Sequence, residues 1–142
     1  MNKLNEVAWF LMQVAGIVIL TTLAVRLLTG CTMVANAPTD AEFSALISNC
    51  TTTWTTRNGV YGRLVTGKGD YASKSIFLPA AGSGDDSYLY FPGSDGGYWS
   101  STPDSDYSYH AWCLYFYSSI FYRNYNYRYD GQSVRPVRSS VK

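Results

Sequence analysis

The chain predicts a small α+β domain: one short capped helix, then strands joined by tight turns and long loops. Three features point there. Thr39 and Glu42 have the T-x-x-E spacing of a capping box, in which each side chain satisfies a free backbone N–H at a helix start. Asn58-Gly59 separates two β-favouring runs, and a type I′ hairpin turn needs positive φ at both positions. Residues 111–117 then alternate strictly, with Trp112, Leu114 and Phe116 on one face and Cys113, Tyr115 and Tyr117 on the other.

In order along the chain, Phe43, Leu46 and Ile47 fall at i, i+3 and i+4, the packing face of a helix that ends near Asn49. Asp40 and Glu42 suit the positive end of its dipole. The Asn58-Gly59 hairpin follows. Ser75-Ile76-Phe77-Leu78 reads as a short apolar strand stopped by Pro79. Residues 80–97, rich in Gly, Ser and Asp, carry no helical period and read as one long loop. After residues 111–117 comes a Ser118-Ser119 turn. Residues 121–129 hold little that could build a core, and residues 132–138 read as a closing strand with Pro136 at its edge.

The length of 142 residues suffices for one domain. A formal charge of +1 argues against nucleic acid as a partner. Charged residues make up 15%, against about 25% in an average soluble domain. Of 13 tyrosines, nine lie between Tyr98 and Tyr129. Tyrosine is the residue that binding surfaces favour, because a stiff ring with a polar tip gives contact area at little entropic cost. Cys31, Cys50 and Cys113 have neither zinc-ribbon nor CxxC spacing, and His110 is the sole histidine. No metal or other cofactor is expected.

Residues 7–25 carry no charge and, as a helix, would span roughly 28 Å, close to a bilayer's hydrocarbon core. Leu28-Thr29-Gly30-Cys31 then resembles a bacterial lipobox, with Cys31 as the lipidation site; an uncleaved signal anchor and a buried helix are the other readings. The expected organisation is a signal or anchor segment over residues 1–31, a linker over 32–36, a domain over 37–138 and a tail over 139–142.

Five segments recur in the order and spacing of a known family: PTDAEF at 38–43, IFLPAAG at 76–82, GYWSS at 97–101, Leu114-Tyr115-Phe116 and GQSVRPVR at 131–138. Together they resemble the C-type-lectin-like domains of the FISUMP type and, within them, the variable proteins of diversity-generating retroelements. The resemblance implies a C-type-lectin-like fold, preceded here by a hydrophobic N-terminal helix. That segment stands where such domains carry an early strand paired with the terminal one, so the sheet is expected to lack an edge. The calcium-site motifs of sugar-binding C-type lectins are absent.

The resemblance also implies variation by mutation of template adenines, typically in Asn codons. Such changes reach Tyr, His, Asp, Ser, Cys and Ile but not Lys, Glu, Gln, Met or Trp. Residues 102–130 contain no Lys, Glu, Gln or Met, and their one Trp is Trp112 on the expected core face. The variable, ligand-facing set is therefore expected to be Asp104, Asp106, Tyr107, Ser108, Tyr109, His110, Cys113, Tyr115, Tyr117, Ile120, Tyr122, Asn124, Tyr125, Asn126, Tyr127, Tyr129 and Asp130. Asp85, Asp86, Tyr88, Tyr90 and Asp95 extend it. Trp99, Trp112, Leu114, Phe116, Val134 and Val137, joined by Phe77 and Leu78, are expected to form the constant core, with Arg135 pinned inside the fold.

The expected function is ligand binding at a cell envelope, membrane-anchored and facing outward, or on a phage particle. The partner would be a protein or glycan on another cell or phage. The alternative is an invariant envelope lipoprotein with a structural or adhesive role. An enzyme of the related formylglycine-generating kind would need an activated thiol, and neither Cys50 nor Cys113 sits in such a motif.

Overall fold

The computed structural model describes residues 35–138. The apolar segment, the lipobox-like tetrapeptide with Cys31 and the tail lie outside the described residues. Among the described residues no helix is long and apolar enough to cross a membrane.

Strand β1 (Ala35–Asn36) precedes helix α1 (Asp40–Asn49). The capping box forms as its spacing demands: Thr39 Oγ1 accepts from the Glu42 N–H at 3.2 Å, and Glu42 Oε2 accepts from the Thr39 N–H at 2.6 Å. Strands β2 (Cys50–Arg57), β3 (Val60–Gly67) and β4 (Ser75–Pro79) make an antiparallel sheet in sequence order. Its β2–β3 turn places Asn58 at φ 50° and Gly59 at φ 79°, the left-handed pair that the Asn-Gly dipeptide foretells. A second sheet orders β7 (Gly96–Pro103), β8 (His110–Phe116) and β9 (Phe121–Tyr127), again antiparallel. The architecture is thus mostly small antiparallel sheets with one short helix, an α+β arrangement.

The core sits where α1 meets both sheets. Phe43 and Leu46 of the helix pack with Val65, Ile76 and Leu78 of the first sheet and Tyr98, Leu114 and Phe116 of the second. Burying each large apolar side chain contributes roughly 1.5–3 kcal/mol. Phe77, Leu78, Leu114 and Phe116 are buried as expected. The other expected core residues are placed differently. Trp99, Trp112 and Val137 are half-buried, and Val134 is 56% exposed. Tyr98 takes the inward place beside Trp99. Its ring stacks on Phe116 and its hydroxyl donates to the Pro79 carbonyl at 3.0 Å, so a polar tip is satisfied inside.

Three expectations about the chain path change. The loop over residues 80–97 contains a hairpin, β5 (Ser83–Asp85) with β6 (Tyr88–Tyr90). Its short strands carry no apolar alternation, so periodicity could not reveal it. The closing strand shrinks to β10 (Val137–Arg138), while Ser133 bridges β7 at Tyr98. Finally, an early strand does pair with the terminal one: Ala35 and Asn36, at the end of the expected linker, pair antiparallel with Arg138 and Val137 as a two-stranded ribbon separate from the three-stranded sheets.

Candidate functional site

The GYWSS segment sets the frame on which the tyrosines stand. In β7 the residues paired with β8 change register between Trp99 and Pro103, a bulge. Ser100 Oγ holds it by accepting from the Thr102 N–H at 3.1 Å. The Ser101 N–H then donates to the Pro38 carbonyl at 2.8 Å, and Thr102 Oγ1 accepts from the Asp40 N–H at 3.0 Å. The bulged strand is thereby tied to the start of α1.

Residues facing one another across β8 and β9 share a face. His110, Trp112, Leu114 and Phe116 oppose Tyr127, Tyr125, Arg123 and Phe121. One end of this face is core. Arg123 marks the boundary: its guanidinium pairs with Asp40 of α1 and lies 5.3 Å over the Trp112 ring. Beyond it the same face becomes an aromatic cluster. The His110 ring has Tyr109, Tyr127, Tyr125 and Tyr107 at 4.5, 4.7, 5.0 and 5.8 Å. Tyr127 stacks on Tyr109 at 5.9 Å and on Tyr129 at 5.0 Å. Tyr107, Tyr109, Tyr125, Tyr127 and Tyr129 are all exposed.

Asp104 shapes the turn that carries this group. Its Oδ1 accepts from the Asp106 N–H at 3.0 Å, an Asx-turn. Its Oδ2 stands 3.7 Å from His110 Nδ1, within ion-pair range for an imidazolium but too long for a hydrogen bond. Both side chains are mostly covered, at 8% and 12% exposure. Asp106 and Ser108 are exposed on the same turn.

The opposite face carries Tyr115 and Tyr122, ring to ring at 5.9 Å, with Tyr117 at 6.4 Å from Tyr115. The Tyr115 hydroxyl donates to Asp95 Oδ2. Burial, then that bond and the Asp95 charge, hold its ionisation well above the usual tyrosine range. Tyr117 also lines a cleft of ≈ 330 Å³ with Trp54, Tyr61 and Asp95. Asn124 and Asn126 are half-buried beside Tyr122, and Ile120 is exposed in the turn.

Cys113 corrects the outward reading of this face. It is 1% exposed. Gly97 of β7, paired with Tyr115 and diagonal to Cys113, leaves room for the Gln132 side chain to lie across the sheet: a Cβ at Gly97 would stand 2.6 Å from Gln132 Oε1. Burial pushes the Cys113 thiol up to about 12, partly offset by a hydrogen bond from Gln132. Cys113 is thus part of the frame and not of the ligand-facing surface.

The turn joining β8 to β9 is held by a residue that sequence reasoning passed over. Arg63 of β3 is buried, and its Nη2 donates to the carbonyls of Tyr117, Ser118 and Ile120 at 2.8, 3.1 and 3.2 Å. The one available signal was a charge inside an otherwise uncharged, β-favouring strand. Arg135, expected to be pinned inside, is half-buried and lies within electrostatic reach of the Tyr98 hydroxyl.

The β5–β6 hairpin presents Tyr88, Leu89, Tyr90 and Phe91, all exposed. Gly84 and Gly131 exchange backbone hydrogen bonds of 2.6 and 2.7 Å, which fix this hairpin to the turn carrying Tyr129 and Asp130. Among the described residues, no group of three or more His, Cys, Asp or Glu could hold a metal ion.

The family description that matches is a domain of unknown function (DUF8237), over residues 68–137, from the turn before β4 to Val137. No curated protein and no solved structure matches the chain.

Proposed function

We propose that the protein binds ligands through its tyrosine-rich surface, and that a diversity-generating retroelement varies that surface. In this reading the fold is C-type-lectin-like of the FISUMP type, and the protein is displayed outward from a cell envelope or carried on a phage particle. Its ligand is a protein or glycan on another cell or phage.

One observation carries the reading. Apart from the buried Cys113 and from Asp104, whose Oδ1 holds its own turn, the nominated rings around His110 pack on one another and stay exposed, while main-chain bonds and an apolar core hold the strands that bear them. A surface so mounted can change its side chains without changing its frame. The exposed ring area is also more than a passive surface carries without a partner.

Catalysis of the formylglycine-generating kind fits poorly with both described thiols. Burial raises the ionisation of Cys113 and of Cys50, the opposite of what an activated thiol needs.

Sequencing the gene across a population, with its neighbouring DNA, tests the proposal. The expected result is a near-copy of the 3′ end with adenines at the nominated codons, and variation confined to those codons. Invariant codons with no such copy would sink diversification and leave the alternative, an invariant adhesive envelope protein.

A further inference from the structure

The exposed rings of this chain are bordered by acid. Residues 80–132 contain six aspartates and two arginines, and no lysine or glutamate, although the whole chain is at +1. Both arginines are engaged elsewhere. Arg123 pairs with Asp40 at the core boundary. Arg128 donates to the Ser108 carbonyl at 3.3 Å and lines a separate cleft with Trp99 and Pro103.

The acid is placed between two groups of rings. Asp85 is directly paired with Tyr88 across the β5–β6 hairpin, so the two share a face. The Gly84–Gly131 bonds bring that hairpin against Asp130 and Tyr129. Tyr129 in turn stacks on Tyr127, the near edge of the His110 cluster. The Asp130 carboxyl is raised, by burial first and then by the Asp85 charge, as expected for two neighbouring carboxylates that lack a cation. Among the described residues neither forms an ion pair.

We infer that in this chain the tyrosine surface takes a cationic partner, a protein segment whose arginine or lysine side chains reach Asp85 and Asp130 and lie on Tyr88, Tyr127 and Tyr129. Ring faces attract a cation through their quadrupole, and the paired carboxylates supply the hydrogen-bond acceptors that a guanidinium or ammonium requires. Bordering charge of one sign also selects its partner by sign and speeds encounter. The inference rests on the binding reading above and names the ligand class for this one surface.

The test is titration of the full chain, in non-ionic detergent, with oligo-arginine, oligo-lysine, oligo-glutamate and a neutral oligosaccharide. Oligo-arginine or oligo-lysine should bind, and the order of the two tells which head group is preferred. Affinity should fall by about tenfold or more between about 50 and about 500 mM salt. Asp85→Asn with Asp130→Asn should cost a further loss of about tenfold, with an unchanged thermal melt. Tyr127→Ala with Tyr129→Ala should weaken both cationic peptides. The idea is overturned if oligo-glutamate binds as well, if the oligosaccharide binds more tightly, or if the Asp variants keep full affinity. Should it fall while population sequencing still shows varied codons, the binding reading stands and only the ligand class is wrong.

Discussion

Arg63 Nη2 donates to the Tyr117 carbonyl at 2.8 Å, joining a buried position of β3 to the end of β8. Two more carbonyls of the same turn share that donor. All three acceptors are main chain, so the grip is indifferent to which side chains occupy 117–120. Hydrogen bonds from a charged donor contribute about 1.5–3 kcal/mol each at most, less when one nitrogen is shared. Arg63→Met should therefore lower unfolding free energy by about 2–4 kcal/mol, read by urea titration. Proteolytic nicking near Ser118-Ser119 should rise. Ile120→Ala should leave both readings close to wild type.

Frame and surface should separate in stability. Leu114→Ala and Phe116→Ala should each cost about 2–5 kcal/mol, because both side chains are fully buried and a cavity remains. Tyr107→Ala and Tyr125→Ala should cost about 1 kcal/mol or less, since only stacked, half-solvated rings are lost. Equal losses in the two groups would contradict the assignment. Trp112→Ala should fall between them, because the ring is half-buried under Arg123.

Alkali should weaken the fold. The Cys113 thiol rises from 9.0 to about 12 on folding, and the Tyr98 hydroxyl from 10.0 to about 12, each mainly through burial. A group whose folded pKa is raised contributes full stability below its unfolded pKa and loses it as pH climbs towards the folded one. The urea midpoint should therefore begin to drop near pH 9 and fall further through pH 10–12. Cys113→Ala should remove the earliest part of that drop. Native Cys113 should also resist thiol reagents until the protein is unfolded.

Gly96 has no room for a side chain. A Cβ there would run into the Phe116 ring directly across β7 and β8. Gly96→Ala should destabilise by about 1–3 kcal/mol through overpacking. Phe116→Leu in the same chain should recover part of that loss, and a double-mutant cycle measures the recovery.

The sequence disclosed those parts of the fold whose cause is local. The capping box, the Asn-Gly turn and the apolar face of α1 depend on residues within a few positions of one another, and all three stand as read. What alternation could not show was which residues find long-range cover. Cys113 and Tyr115 alternate identically with the core positions, but Gln132 crosses Gly97 to cover the first and leaves the second half-open. Tyr98 goes inside because Pro79, 19 residues earlier, offers its hydroxyl a carbonyl. Tyr107, Tyr109, Tyr125, Tyr127 and Tyr129 gather around His110 on the face that continues the core, while Tyr115, Tyr117 and Tyr122 take the opposite face. Periodicity puts outward residues on the opposite face; it cannot foresee one face changing from core to surface where the helix ends.

The ribbon of β1 and β10 has a mechanical consequence. Ala35 and Arg138 form its outer pair, with Asn36 and Val137 behind them. Tension applied through those two ends peels the ribbon open one pair at a time, as a zipper, and does not shear it. The seam should part at low force and leave the two three-stranded sheets and α1 intact. A load carried along the chain would thus open this ribbon before it disturbed the tyrosines.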